Sequence, residues 1–274
     1  MGSAHLDWNE IHIDLKAAAR LGAPEALDLA LAALDDWPAF VANARLKEED
    51  VKTVLVPLGE LLAAPAVPEA YLYDLTRHPL AGARALAAAA FALRALRGEE
   101  AALPMARDLA ADPRAEVRLA MVTALTRRGA EAPEALAALL RRWLTAARRP
   151  RLAATALQAV QSLARLRPEE ALTLLAETPP ALRTAPEVQR ALGDALRQIA
   201  AQGLGADVLA LLEGWQADGL PEEAVLRALR GDWAHTHHAR AAALLDALEA
   251  RTGPSRALRR TRQRLQAPED QREP

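Results

Sequence analysis

The amino-acid sequence predicts an all-α protein, and three observations carry that prediction. Of the 274 residues, 67 are Ala and 48 are Leu, while aromatic residues make up only 3%. Ala, Leu, Arg and Glu lose least on entering a helix, whereas a β-sandwich or barrel draws on Val, Ile, Thr and aromatic side chains. Pro79, Pro113, Pro150, Pro186, Pro221 and Pro254 recur at intervals of 33 to 37 residues, and a period in that range marks a repeat architecture. Behind Pro113, the residues Val117, Met121, Ala124 and Leu125 fall on one face of a helix, the stripe that a packed helix buries.

Taken in order, residues 1–68 read as an irregular N-terminal helical cap. Its helices lie near 8–20, 24–35 and 47–64, broken at Gly22-Ala23-Pro24, Asp36-Trp37-Pro38 and Pro65. Six helix pairs follow over 69–266. The first, outer helix of each pair spans about 69–77, 99–111, 132–147, 168–177, 204–216 and 235–251. The second, inner helix starts at a proline and spans 80–97, 114–128, 151–167, 187–201, 222–230 and 255–266. Proline is tolerated in a first helical turn because its missing N–H has no partner there in any case, and Asp112 is placed to cap the turn it precedes. Neither helix of a pair can bury its apolar stripe alone, so the pairs stack, with Ala at the crossings allowing close approach. The polar stretch 267–274 is expected to be a disordered tail.

The run Asp112-Pro113-Arg114-Ala115-Glu116-Val117-Arg118-Leu119-Ala120-Met121-Val122-Thr123-Ala124-Leu125 resembles the HEAT repeat. The segments beginning at His78-Pro79 and at Pro186 resemble it more loosely, and the last two repeats least. The resemblance covers 69–266 and implies a right-handed α-solenoid of about six HEAT-like hairpins whose inner helices line a concave face. It also implies a family of scaffolds, transport and adaptor proteins and some enzymes.

Charge is distributed unevenly behind a formal net of −2. Residues 1–78 hold 6 basic and 13 acidic groups, and 114–167 hold 11 basic and 3 acidic. The inner helices carry 19 Arg against 5 Asp and Glu. With the geometry the resemblance implies, that makes the concave surface basic and able to concentrate polyanions. The candidate partner-binding residues are Arg84, Arg94, Arg114, Arg118, Arg151, Arg259 and Arg260. A structural use competes with binding for some of them, since the Arg of the Val-Arg step, here Arg118 with counterparts at Arg84 and Arg190, is implied by the resemblance to pair between repeats. Arg127, Arg128, Arg165 and Arg167 sit near helix ends, where the macrodipole favours cations.

Several chemistries are excluded by residue supply. There is no Cys, and the three serines, Ser3, Ser162 and Ser255, form no Gly-x-Ser-x-Gly elbow. No phosphate-binding Gly-x-x-x-x-Gly-Lys loop occurs, and Gly203-Leu204-Gly205 reads as a helix break. His235 and His238 share a helix face at i, i+3 with Asp232 one turn earlier, but a polar helix start explains them more simply, and no His-Glu dipeptide of the HEAT-like iron hydroxylases is present. The HEAT-like DNA-alkylation-repair glycosylases use aromatic residues and an Asp on a basic concave face. Here Phe91 is the only aromatic of the inner helices and Asp194 the only Asp, so no catalytic residue, cofactor or metal is assigned. With no apolar run of 18 residues and no secretory leader pattern, a cytoplasmic protein without a membrane partner is expected. The sequence therefore predicts a non-enzymatic repeat scaffold that binds a protein or peptide partner, an acidic segment, on its basic surface. The alternative is a nucleic-acid-binding protein contacting phosphates through the same arginines.

Overall fold

Every secondary-structure element in the computed structural model is helical among the residues it describes, 8–35, 47–146 and 148–266. The chain forms two compact units, Met1–Ala135 and Leu136–Pro274. The expected tail, 267–274, and the break at Asp36-Trp37-Pro38 lie outside the described residues.

The first unit opens with α1 (Trp8–Leu21) and α2 (Pro24–Asp35), which pack on each other through Leu15, Ala18, Leu27 and Ala30. A short helix α3 (Glu48–Asp50) continues through a π turn, Val51–Leu55, into α4 (Val56–Leu62). The wide turn has a local cause: Pro57 cannot donate the bond that would close on Thr53 O, so the helix loosens by one residue, and Val56 N–H bonds to Val51 O instead. Two helix pairs follow, α5 (Glu69–Arg77) with α6 (Ala81–Leu96) and α7 (Ala102–Ala110) with α8 (Ala115–Gly129). The second helices pack side by side, α4 on α6 and α6 on α8. Ala85 and Ala87–Ala90 of α6 are buried without measurable exposure, save Ala85's neighbour Leu86 at 2%. Against them lies Gly59 of α4, where a Cβ would stand 2.5 Å from Leu86 O and 2.7 Å from the Ala89 Cβ. The high Ala content thus serves close helix approach.

In the second unit α9 (Pro133–Ala146) leads into it, and α10 (Pro150–Leu166), α11 (Pro168–Ala176), α12 (Pro186–Ile199), α13 (Gly205–Gly214), α14 (Glu222–Ala228), α15 (Trp233–Thr236), α16 (His238–Thr252) and α17 (Arg256–Gln266) complete the chain. Here α10 packs on α12 and α12 on α14, while α11 and α16 pack against α12 and α17 respectively. The crossing of α12 and α14 is again made by glycine: a Cβ on Gly193 would meet the Arg227 Cβ at 2.6 Å and Ala224 O at 2.8 Å. A second π turn, Ala200–Leu204, kinks at Gly203, whose φ of 95° only glycine adopts readily. That is the break expected at Gly203-Leu204-Gly205.

The prolines mark helix starts less uniformly than the sequence suggests. Pro150 and Pro186 occupy the first helical position and Pro221 is the N-cap of α14, whereas Pro79, Pro113 and Pro254 stand ahead of helices that begin at Ala81, Ala115 and Arg256. Asp112 accordingly does not cap α8. Its Oδ1 accepts the Arg114 N–H at 2.9 Å in the turn before the helix.

Candidate partner-binding surface

The seven candidate arginines divide by unit. Arg94, 7% exposed, donates Nη2 to Ala64 O at 3.1 Å and to Val67 O at 2.9 Å, closing the loop that follows α4. Arg84 donates to Thr76 O and to Oδ2 of Asp112, whose side chain is fully buried. Arg114 donates to Pro79 O at 3.0 Å, and Arg118 donates to the carbonyls of Asp112 and Pro113. Around Asp112 these groups sew the pair α5–α6 to the pair α7–α8. The charges of Arg84 and Arg94 are therefore engaged within the fold, as is Glu60, buried on α4, which takes Arg128 Nη2 at 2.7 Å and has Arg127 Nε at 3.5 Å. The hydrogen bond from Arg128 to Glu60 is the largest of the causes that raise the Arg128 pKa.

In the second unit Arg151, Arg259 and Arg260 are exposed, and so are Arg190, Arg230 and Arg256, which stand on or just after the same set of helices. No side chain of these six makes a hydrogen bond or ion pair among the described residues. For four of them, Arg151, Arg256, Arg259 and Arg260, the placement at a helix start runs against helix electrostatics. Arg256, Arg259 and Arg260 crowd the first five residues of α17, and neither α17 nor α10, which opens Pro150-Arg151, has an acidic residue in its first turn. The N-terminal end of a helix carries partial positive charge, so each such cation costs on the order of 0.3–1 kcal/mol. By contrast Arg262 of α17 is held by Asp246 at 2.7 Å and Glu249 at 2.8 Å, which raise its pKa with the Glu249 hydrogen bond foremost. One helix thus separates arginines that fix it from arginines that face water.

The register of α12 against α14 follows from three contacts. Glu223 N–H donates to Gln189 Oε1 at 3.0 Å, Gly193 abuts Ala224, and Arg227 Nη1 reaches Asp194 Oδ2 at 3.1 Å. A near-constant offset means that the helices run parallel, which brings Arg197 and Arg230 to the same end. There a cleft of about 600 Å³ opens, lined by Arg197, Gln198, Gly203, Asp232, Trp233 and His237, with Ala200, Ala201, Gly205, Gly231 and Thr236. Arg197 lies 3.5 Å from Asp194 yet keeps half of its side chain exposed. Asp232, at the rim, has Arg264 of α17 at 3.8 Å.

The histidine expectation changes in detail. The chain turns at His237 (φ −119°, ψ 30°), so His235 ends up in α15 and His238 in α16, not on one helix face. His235 Nδ1 contacts Leu265 O at 3.2 Å, and no cluster suited to a metal ion exists among the described residues. Of the tryptophans, Trp143 and Trp215 are buried, the latter beneath the Arg183 guanidinium at 4.1 Å. Arg183 is itself buried, which lowers its pKa against the opposing influence of Asp218. Trp233 differs from them, since it is half-buried and walls the cleft. Phe91 is buried beside Tyr73 at 5.8 Å. No helix among the described residues is long and apolar enough to cross a membrane.

No protein-family model matches the chain, and neither does any curated protein or solved structure.

Proposed function

We propose that the chain is a non-enzymatic HEAT-like α-solenoid scaffold that binds an acidic segment of a protein partner through arginines of the second unit. The observation that carries this reading is the set Arg151, Arg190, Arg230, Arg256, Arg259 and Arg260, exposed and without partners among the described residues. Three of them stand where they weaken their own helix. A placement that costs stability without serving the fold is the signature of a surface kept for binding. The paired arginines of the first unit show the structural use: the guanidinium groups of Arg84 and Arg94 hold loops, while those of the six named here meet water. Guanidinium groups bind carboxylates in planar, paired geometry, and a segment rich in Asp and Glu is their complement.

Fluorescence anisotropy with a fluorescein-labelled peptide of alternating Asp and Glu, titrated across salt concentration, tests the reading. Saturable binding that weakens as salt rises supports it. Absence of binding at low salt overturns it. Tighter binding of a labelled DNA duplex of equal charge replaces it with the nucleic-acid alternative.

A further inference from the structure

Resting on that scaffold reading, we infer that the cleft at the ends of α12 and α14 receives a neutral aromatic side chain of the acidic partner segment. At about 600 Å³ the cleft falls in the size range of sites that enclose a small group. Its aromatic wall is Trp233, and the indole is fixed from several sides. Nε1 donates to Ala228 O at 3.2 Å. A Cβ at Gly231 would stand 2.5 Å from the indole Cδ1, and a Cβ at Gly205 would stand 2.9 Å from Cε3. The ring therefore lies directly on backbone at two glycines, with its polar atom satisfied and its orientation set before any ligand arrives. Such preorganisation lowers the cost of binding.

The surroundings select the guest. Ala200, Ala201 and Gly203 form short walls that leave room beside the indole. A fixed Trp beside an Arg is the composition of an interface hot spot, and a second ring stacks on it in offset or edge-on geometry. Arg197 lines the cleft and Arg230 precedes its residue Gly231, so carboxylates flanking the guest ring have guanidinium groups at hand at this end of the helices. Asp232 at the rim, with 85% of its side chain exposed, repels an anionic ring. The fitting guest is thus Phe, Tyr or Trp set between acidic residues, without a charged group on the ring.

Two labelled peptides test the inference, Asp-Glu-Asp-Phe-Asp-Glu-Asp and the same peptide with Ala in place of Phe. The Phe peptide is expected to bind about tenfold more tightly. Trp233→Leu should erase that gain while leaving the Ala peptide unchanged. Ala201→Phe, a change at an exposed position that fills the cleft without entering the core, should do the same, and circular dichroism checks that each variant is folded. Equal affinity for the two peptides overturns the inference and leaves the scaffold reading standing, as does a Phe gain that survives both substitutions. Failure of both peptides to bind the unaltered chain overturns the scaffold reading and the inference with it.

Discussion

Replacing Asp112 by Ala removes the group on which two consecutive helix pairs of the first unit converge. Its carboxylate is fully buried and accepts from Arg84 Nη2 and from the Arg114 N–H. Removing one partner of a buried ion pair costs about 3–5 kcal/mol because the other charge is left behind. The low end applies here, since Arg84 keeps 21% of its side chain exposed and retains Thr76 O. A loss of about 3 kcal/mol corresponds to roughly a hundredfold rise in the opening equilibrium. Hydrogen exchange read by mass spectrometry should show that rise in peptides covering 72–86 and 112–125, which contain the loops Asp112 joins. Asp112→Asn should fall between the two, because an amide oxygen can still accept from Arg114. Protection in Asp112→Ala within twofold of the unaltered chain would refute the reasoning, and with it the assignment of Arg84 to the fold.

Further expectations concern other parts of the fold. Gly193→Leu forces α12 away from α14, where a Cβ already meets Ala224 O at 2.8 Å, and should cost about 1–3 kcal/mol in urea unfolding; an unchanged midpoint would show that the helices do not touch there. Glu60→Ala should cost less than Asp112→Ala, about 1–2 kcal/mol, because Arg127 and Arg128 keep 44% and 40% of their side chains exposed and can turn to water. The Glu213 carboxyl is held below the usual Glu range by the hydrogen bond from Arg240, against a smaller opposing effect of desolvation. A depressed folded-state pKa stabilises the fold above the unfolded Glu range, and that contribution is lost as pH falls through the folded value. Carboxyl NMR titration should show a low Glu213 midpoint that rises in Arg240→Gln; an identical midpoint in both proteins would contradict the pairing.

Much of the helix layout is legible in the sequence because it rests on local rules. The outer helix at 168–177 appears as Pro168–Ala176, and the inner helix at 187–201 as Pro186–Ile199. Proline spacing and apolar periodicity act within one or two turns, so neighbours far along the chain do not disturb them. The π turn at Val51–Leu55 is less visible, since Pro57 only shows that a hydrogen bond is missing and not how the helix absorbs the loss. The arginines divide in the same way. Sequence names Arg84 and Arg151 both as binding candidates and offers a structural use only for Arg84, by resemblance; whether a guanidinium finds Asp112, 28 residues away, or water is decided by packing. The cleft is legible least of all. Gly203 and Gly205 come from one stretch and Gly231 and Trp233 from another, and only the parallel register of α12 and α14 brings them together. The nearest signal is the pairing of a glycine-broken helix with a tryptophan directly after Gly231-Asp232.

The most direct test of the central claim is the triple variant Arg256→Glu, Arg259→Glu, Arg260→Glu, measured for both stability and acidic-peptide binding. The two readouts should part. Acidic residues suit the start of α17, so the melting temperature should hold or rise, whereas affinity for the acidic peptide should fall by about tenfold or more. A variant that melts lower, or that binds the acidic peptide as tightly as the unaltered chain, would contradict the claim that these arginines are kept for a partner at the expense of their own helix.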